Sequence, residues 1–130
     1  MNQCPCCSDL DYDQCCGRFI EQGLLPETPE ELMRSRYCAY TRGYVKYIKH
    51  TMCGNAAQHF DYLSAQQWAK KVQWIGLKVV NTEFSENSED KGFVEFIACF
   101  SRNEKPEKIH EISEFHRIEG KWFYVDGMPQ

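Results

Sequence analysis

The sequence has no long apolar run and no sign of an export signal. None of its apolar stretches approaches the roughly 20 residues that a membrane-spanning helix requires. The N-terminus has neither the basic segment nor the apolar segment of a signal peptide. Internal repeats and low-complexity linkers are also missing. With 130 residues, of which 42% are apolar and 26% charged, the chain is predicted to form one globular core with at most a small appendage, in the cytoplasm.

Basic residues are outnumbered by acidic ones, and the formal net charge is -4. Because an acidic protein binds nucleic acid poorly, a nucleic acid partner is not expected. One stretch departs from this average: between Leu32 and Phe60 there is no acidic residue, while five lysine or arginine residues alternate with tyrosines. Tyrosines at helical spacing are typical of a core-facing helix, so this stretch predicts a buried helix with a basic rim.

Helix signals occupy the middle of the chain, and strand signals occupy the C-terminal part. Thr28 predicts an N-cap, Glu31 completes a capping box, and Gly43 predicts a break. Ser64 predicts the cap of a second helix that ends near Trp74 to Gly76. Four extended segments follow, separated by short polar turns: GLKVVNTEF, GFVEFIACF, KIHEISEFHRI and KWFYVD. Helices followed by a four-stranded antiparallel meander predict an α+β fold.

Eight cysteines are present, and five of them lie between Cys4 and Cys16. In a reducing compartment such cysteines are more often metal ligands or catalytic thiols than disulfides. The pattern C-x-C, eight residues, C-C is formed by Cys4, Cys6, Cys15 and Cys16. Four thiolates at about 2.3 Å complete the tetrahedral shell of Zn²⁺, so the pattern predicts a structural zinc site. A disulfide and thiol redox chemistry remain alternatives, the latter because Cys4 and Cys7 also have C-x-x-C spacing.

The stretch CPCCSDLDYDQCCG resembles the SEC-C zinc motif, whose usual form is CPCGSGKKYKKCCG. The resemblance includes the four cysteines of the pattern and Gly17, and it implies zinc as the cofactor. Two glycine positions of the motif hold Cys7 and Asp9 here, which leaves open whether Cys7 competes as a ligand. Acidic residues, including Asp11 and Asp13, replace the usual lysines and argue against anion binding by this knuckle.

The segments LMRSRYCAY, VEFIA, HEISEF and GKWFYVDG resemble the bacterial YchJ-like family, over nearly all of residues 1–127. The resemblance implies a zinc knuckle in residues 1–24 and a nuclear-transport-factor-2-like domain in residues 25–130. Such a domain is an α+β cone in which a curved antiparallel sheet wraps the helices. No activity is established for the family, so whether the protein is an enzyme stays open.

Cone folds commonly bind small ligands between the sheet and the helices, and strand alternation indicates which residues line that space. The residues expected in such a pocket are Glu95, Glu111, Ser113, Trp122 and Tyr124. A partly buried glutamate there would serve as a general base, with a tyrosine hydroxyl as hydrogen-bond donor. The alternative is an exposed strand face, or an ion pair of Glu111 with Arg34 or Arg36.

Other reactive side chains give weaker signals. The four histidines have no ligand spacing such as H-E-x-x-H, so a catalytic metal is not expected. Cys38, Cys53 and Cys99 lie among apolar residues and are interpreted as small core side chains.

Two functions remain open. The favoured one is an interaction module in which an exposed, separable zinc knuckle docks onto another protein, as the SEC-C resemblance implies. The other is a ligand-binding or catalytic cone, which requires a cavity. The sequence does not indicate the oligomeric state.

Overall fold

A computed structural model describes residues 3–130, and it places helices before strands along the chain. The elements are a 3₁₀ turn at Tyr12–Gln14, helices α1 (Gly17–Ile20), α2 (Pro29–Arg42), α3 (Val45–His50), α4 (Gly54–Gln58) and α5 (Tyr62–Lys71), and strands β1 (Gln73–Ser85), β2 (Ser88–Arg102), β3 (Lys105–Ile118) and β4 (Lys121–Pro129). None of the helices within residues 3–130 is long and apolar enough to cross a membrane.

Helix α2 begins and ends where its sequence predicts. The Thr28 hydroxyl accepts a hydrogen bond from the Glu31 backbone N–H at 3.1 Å, and proline occupies the first helical position. The Glu31 carboxylate accepts from the Glu27 N–H at 2.8 Å, one residue further back than in a reciprocal capping box. The helix ends at Arg42 because Gly43 adopts a φ of 75°, a left-handed conformation that favours glycine.

Helix α5 begins and ends earlier than the sequence indicated. Its N-cap is Asp61, whose carboxylate accepts from both the backbone N–H and the hydroxyl of Ser64. The helix ends at Lys71, and Trp74 already lies in β1, opposite Phe100 of β2. Both differences have a physical reason: the aspartate satisfies two donors of the first turn, and pairing with β2 gives Trp74 a cross-strand aromatic partner.

The four strands form one antiparallel sheet in the order β1-β2-β3-β4, which confirms the predicted meander. In the β2–β3 register, Val94 lies opposite Ser113 and Phe96 lies opposite Glu111. These residues therefore share the face on which the helices pack. Register shifts interrupt β1 after Trp74 and after Val79. Such bulges increase the local twist, which is consistent with the curvature of a cone.

The N-terminal cysteines belong to the same core as the helices and the sheet. That core includes Cys4, Cys6, Cys15, Cys16, Leu32, Cys38, Val94 and Phe115. The knuckle is therefore not the exposed, separable unit that the interaction-module hypothesis expected. The physical reason is that so short a segment cannot bury its own thiols, and it packs them against α2 and the sheet instead.

Candidate functional site

Four cysteine thiols converge near the N-terminus. The sulfur atoms of Cys4, Cys6, Cys15 and Cys16 all lie within 4.8 Å of one another, and all four residues are buried. The Cys6–Cys15 and Cys15–Cys16 sulfurs are 3.6 and 3.9 Å apart. A tetrahedral zinc ion with bonds of about 2.3 Å places its ligand sulfurs about 3.8 Å apart. The spacing therefore fits a four-coordinate metal ion, and these are the four residues that the sequence pattern singled out.

The turn between the two cysteine pairs relies on left-handed backbone at Cys7 and Asp9, whose φ angles are 66° and 69°. These are the two positions at which the SEC-C motif has glycine. The Cys4 N–H donates to the Leu10 carbonyl at 2.8 Å and closes the turn. Cys7 is exposed, and its thiol contacts the Pro5 carbonyl at 3.6 Å rather than the four-thiol group. The structure thus keeps Cys7 apart from the candidate metal ligands.

The second cysteine pair is held by a close approach of Gly17 to Tyr12. A Cβ atom at Gly17 would lie 2.7 Å from the Tyr12 carbonyl oxygen, so glycine is needed at this position. The Tyr12 ring is buried, and the Arg42 guanidinium lies 3.7 Å from its centroid. Arg34 donates to the carbonyl of Cys6 at 2.7 Å. Two arginines of α2 therefore hold the knuckle against that helix.

The environment acts differently on the four thiols. Hydrogen bonds from Cys16 and then Cys38 lower the pKa of Cys6. Burial raises the pKa of Cys15, and the hydrogen bond with Cys38 raises the pKa of Cys16. The Ser8 hydroxyl lies 3.1 Å from the Cys15 sulfur. Hydrogen bonds from Cys16 and then Cys38 lower the pKa of the Cys4 thiol to about 6. Because a metal ion binds the thiolate form of cysteine, Cys4 and Cys6 are the ligands that ionise most readily, and a bound ion would displace the protons of Cys15 and Cys16.

A fifth thiol, that of Cys38, lies beside the group. Cys38 is fully buried in α2, and its sulfur is 3.3 Å from the Cys4 sulfur. The interpretation of Cys38 as a small core side chain agrees with its burial, but the sequence did not predict its contact with Cys4. Only its place on the core-facing side of a predicted helix could have suggested it.

A cavity of about 170 Å³ lies between α2, α5 and the sheet. Seven of its thirteen lining residues are aromatic, and two, Arg36 and Glu111, are charged. Trp68 and Trp74 meet edge to face in its wall, with ring centroids 4.9 Å apart. The Trp74 Nε1 atom is buried and has no hydrogen-bond acceptor within residues 3–130. The cavity is thus mainly aromatic, with a few polar groups.

Three of the five residues expected in a pocket line this cavity: Glu111, Ser113 and Tyr124. The Ser113 hydroxyl donates to Glu111 Oε2 at 2.6 Å, and the Tyr124 hydroxyl donates to the same oxygen at 3.2 Å. Burial, followed by the nearby Glu111 carboxylate, raises the pKa of Tyr124. The tyrosine therefore stays protonated and remains a donor.

The other two expected residues, Glu95 and Trp122, do not line the cavity. Glu95 lies opposite Ile112 on the other face of the sheet, and its carboxylate is 2.7 Å from Nε2 of His110. Trp122 lies further along β4, where its Nε1–H donates to the Glu27 carbonyl at 3.1 Å. Glu95 points away from the cavity because its neighbour Phe96 is the residue that lies opposite Glu111. Trp122 is separated from the cavity because the segment before α2 covers it.

The alternative ion pair of Glu111 with Arg34 or Arg36 does not form. Arg34 pairs with Glu30 at 2.9 Å. Arg36 is buried and donates from Nη1 to the Ile48 carbonyl and the Thr51 hydroxyl, at 2.8 and 2.7 Å. Its guanidinium lies 4.5 Å from the centroid of the Tyr124 ring. Arg36 thus reaches the cavity while its charge is solvated by backbone, hydroxyl and ring.

Comparison with known proteins agrees with both parts of the structure. A family model described as "YchJ, middle NTF2-like domain" matches residues 28–127. A "UPF0225 protein" of Geobacter sulfurreducens is 35% identical over 126 residues, covering 97% of this chain and 78% of that protein. The solution structure of a SEC-C motif containing protein from Rhodopseudomonas palustris has 35% identity and a TM-score of 0.87, covering 98% of each chain. The crystal structure of a SEC-C motif containing protein from Psychrobacter arcticus has 28% identity and a TM-score of 0.83, covering 97% of this chain and 81% of that one.

Proposed function

The chain belongs to the family described as YchJ, middle NTF2-like domain, and we propose that it is a cytoplasmic zinc-binding protein that docks onto another protein. The zinc ion has a structural role in this proposal. The observation that supports it is the convergence of four buried thiols, Cys4, Cys6, Cys15 and Cys16. Four thiolates complete a tetrahedral shell and leave no position for water or substrate.

Zinc is the metal proposed because soft thiolate ligands in tetrahedral geometry suit it, whereas magnesium and calcium prefer oxygen ligands. When bound, the ion would cross-link the first cysteine pair to the second and hold the knuckle against α2. Such sites contribute on the order of 10 kcal/mol to folding in small zinc modules. Here the helices and the sheet supply most of the shared core, so we expect a smaller but measurable contribution.

The observation that supports docking is a pair of exposed leucines in the segment between α1 and α2. Leu24 and Leu25 are 53% and 52% exposed. Their backbone is held, because the Leu24 N–H donates to the Arg18 carbonyl at 2.9 Å and the Glu27 carbonyl accepts from Trp122. Two consecutive exposed leucines on a held backbone support docking at this segment.

The groove beside these leucines indicates the chemistry of the partner. Apolar side chains of Phe19, Pro26 and Trp122 line it. Its charged lining consists of two arginines and two glutamates, Arg18, Arg117, Glu27 and Glu31. Because these charges balance, and because the lining is polar as well as apolar, the occupant proposed is a segment of a partner protein that has no net charge and carries both apolar and polar side chains.

Crosslinking in intact cells, followed by mass spectrometry, tests the docking proposal. The variant Leu24→Ser/Leu25→Ser removes the apolar pair, and Leu63→Ser is the matched control, because Leu63 is 61% exposed on α5. We expect the same crosslinked protein with wild type and control, from the cytosolic fraction, and its loss with the double variant. Recovery that is unchanged in the double variant would refute docking at this surface, provided that all three proteins carry the same amount of zinc.

A second candidate function is the binding of a small ligand in the cone, and the cavity beside Glu111 favours it. Aromatic walls with a few polar groups are typical of ligand pockets. Ala98 lines the cavity and is 3% exposed, so Ala98→Leu is expected to fill it. Native mass spectrometry of gently purified protein should then find a retained organic mass on the wild type that is lost from this variant.

A further inference from the structure

We propose that the cone cavity binds a small, uncharged, planar aromatic molecule that carries a hydrogen-bond donor, such as a phenol or a lactam ring. This inference rests on the second candidate function, ligand binding in the cone, and names the class of ligand. It is carried by the size of the cavity, its walls, its charge balance and one carboxylate oxygen that has no partner in the described part of the chain.

The size of the cavity limits the ligand to about one ring. Its volume is about 170 Å³. An engineered protein cavity of about 150 Å³ binds benzene. A single six-membered ring with one or two small substituents therefore fits inside, whereas a steroid or a nucleotide would extend out of the cavity.

The walls of the cavity favour a planar ring. Besides the Trp68–Trp74 pair, Tyr40 and Trp68 meet at 85° with centroids 5.7 Å apart. Tyr37 and Trp74 meet at 78° with centroids 5.5 Å apart. Aromatic rings prefer such edge-to-face or offset contacts, and a ligand ring can continue the same arrangement.

The charge balance of the cavity favours an uncharged ligand. Among residues 3–130, the charged residues in its lining are Arg36 and Glu111, whose formal charges cancel. Arg36 is 8% exposed, and its Nη1 atom already donates to Ile48 and Thr51. An anion that entered would lie near the Glu111 carboxylate and a cation near the Arg36 guanidinium, so neither gains from the net charge of the lining, and desolvation is unfavourable for both.

The Glu111 carboxylate indicates that the ligand donates a hydrogen bond. Glu111 Oε2 already accepts from Ser113 and Tyr124, whereas Oε1 has no hydrogen-bond partner in the described part of the chain. An ionised carboxylate only accepts, so its partner in the ligand must be a donor. A phenol hydroxyl or the N–H of a lactam supplies this donor.

Isothermal titration of the full zinc-loaded chain with four probes tests this assignment. Phenol and 2-pyridone represent the proposed class, toluene lacks the polar group, and benzoate carries a charge. We expect phenol and 2-pyridone to bind, and toluene and benzoate to bind at least tenfold more weakly. Quenching of tryptophan fluorescence provides a second readout, because Trp68 and Trp74 line the cavity.

Two variants test the role of the carboxylate. Glu111→Gln keeps the shape of the side chain but removes its charge, and we expect phenol to bind about tenfold more weakly. Glu95→Gln is the matched control, because Glu95 lies on the opposite face of the sheet, and it should leave the affinity unchanged.

The outcomes separate the ligand class from the pocket itself. Toluene or benzoate binding as tightly as phenol would overturn the proposed class while leaving the cone a ligand site. If none of the four probes binds, the class is wrong as well. Native mass spectrometry then tests the second candidate function, ligand binding in the cone. An organic mass that is present on the wild type and lost on Ala98→Leu would support ligand binding in this cavity. A wild-type protein without any organic mass would refute it.

Discussion

The thiol of Cys38 lies 3.3 Å from the thiol of Cys4, although 34 residues separate them in the chain. Through this contact α2 forms a wall of the four-thiol site. The same helix contributes Arg36 and Tyr40 to the wall of the cavity. One helix therefore borders both candidate sites, and we expect loss of the metal to alter the packing of α2 beside the cavity.

Cysteine substitutions should separate the metal ligands from their neighbour. We expect Cys15→Ala to lose the bound zinc and Cys38→Ala to retain one zinc per chain, because Cys15 belongs to the group of mutually close thiols and Cys38 does not. Truncation of the buried Cys38 side chain should cost about 1 kcal/mol of unfolding free energy. Zinc content by elemental analysis is the measurement, and the opposite pattern would make Cys38 the fourth ligand.

Glycine at position 7 should stabilise the knuckle. The φ of 66° at Cys7 is costly for a residue with a Cβ, and relief of that strain is worth about 1 kcal/mol. Asp9→Gly should give a smaller gain, because aspartate tolerates this conformation better. Urea unfolding of zinc-loaded protein measures both. Cys7→Ala is the control for loss of the thiol, and Cys7→Gly no more stable than Cys7→Ala would contradict the prediction.

A methyl group at Gly127 should disturb the polar cluster of the cavity. A Cβ atom there would collide with the Tyr124 hydroxyl and the Glu111 carboxylate. We expect Gly127→Ala to lower the unfolding free energy by about 1–3 kcal/mol through overpacking. Gly76→Ala is the matched strand control, because the nearest atom to its Cβ would be the Cys7 sulfur at 3.7 Å. Equal losses in the two variants would contradict the crowding assigned to Gly127.

Alkaline pH should destabilise the fold through Tyr47. Burial raises the pKa of Tyr47 from 10.0 to about 12. A raised pKa contributes stability that is complete below pH 10 and is lost as the pH rises towards 12. Tyr47→Phe removes this titration and also a 2.7 Å hydrogen bond with Ser35, so it should be less stable at pH 8 by about 1 kcal/mol.

The diagnostic quantity for Tyr47 is the slope of unfolding free energy against pH. Between pH 10 and 12 the variant should lose less stability per pH unit than the wild type, by up to about 1.4 kcal/mol. Urea unfolding at several pH values on zinc-loaded protein provides the slopes. Identical slopes would mean that Tyr47 does not titrate differently in the folded and unfolded chains.

Local sequence signals were sufficient for much of the fold. Helix α2 begins after the N-cap Thr28 and ends at the left-handed Gly43, and both signals depend only on neighbouring residues. Alternation along β3 correctly placed Glu111 and Ser113 on one face. The four-thiol group could also be predicted from a short segment, because two cysteine pairs joined by a turn can converge without contacts to the rest of the chain.

Features that depend on distant contacts could not be predicted in the same way. The end of α5 is determined by the pairing of Trp74 with Phe100. The register between β2 and β3 puts Phe96, rather than Glu95, opposite Glu111. The contact of Cys38 with Cys4 requires α2 to pack on the knuckle, and nothing in the spacing of the two residues indicates it.

Native mass spectrometry of the full chain, purified without chelator, tests the four-thiol metal site most directly. The account predicts one zinc ion per chain, lost on Cys6→Ala and retained on Cys7→Ala, because Cys6 is buried in the thiol group and Cys7 is exposed outside it. A metal-free mass from fresh wild-type protein, or a mass reduced by the two hydrogens of a disulfide, would contradict it.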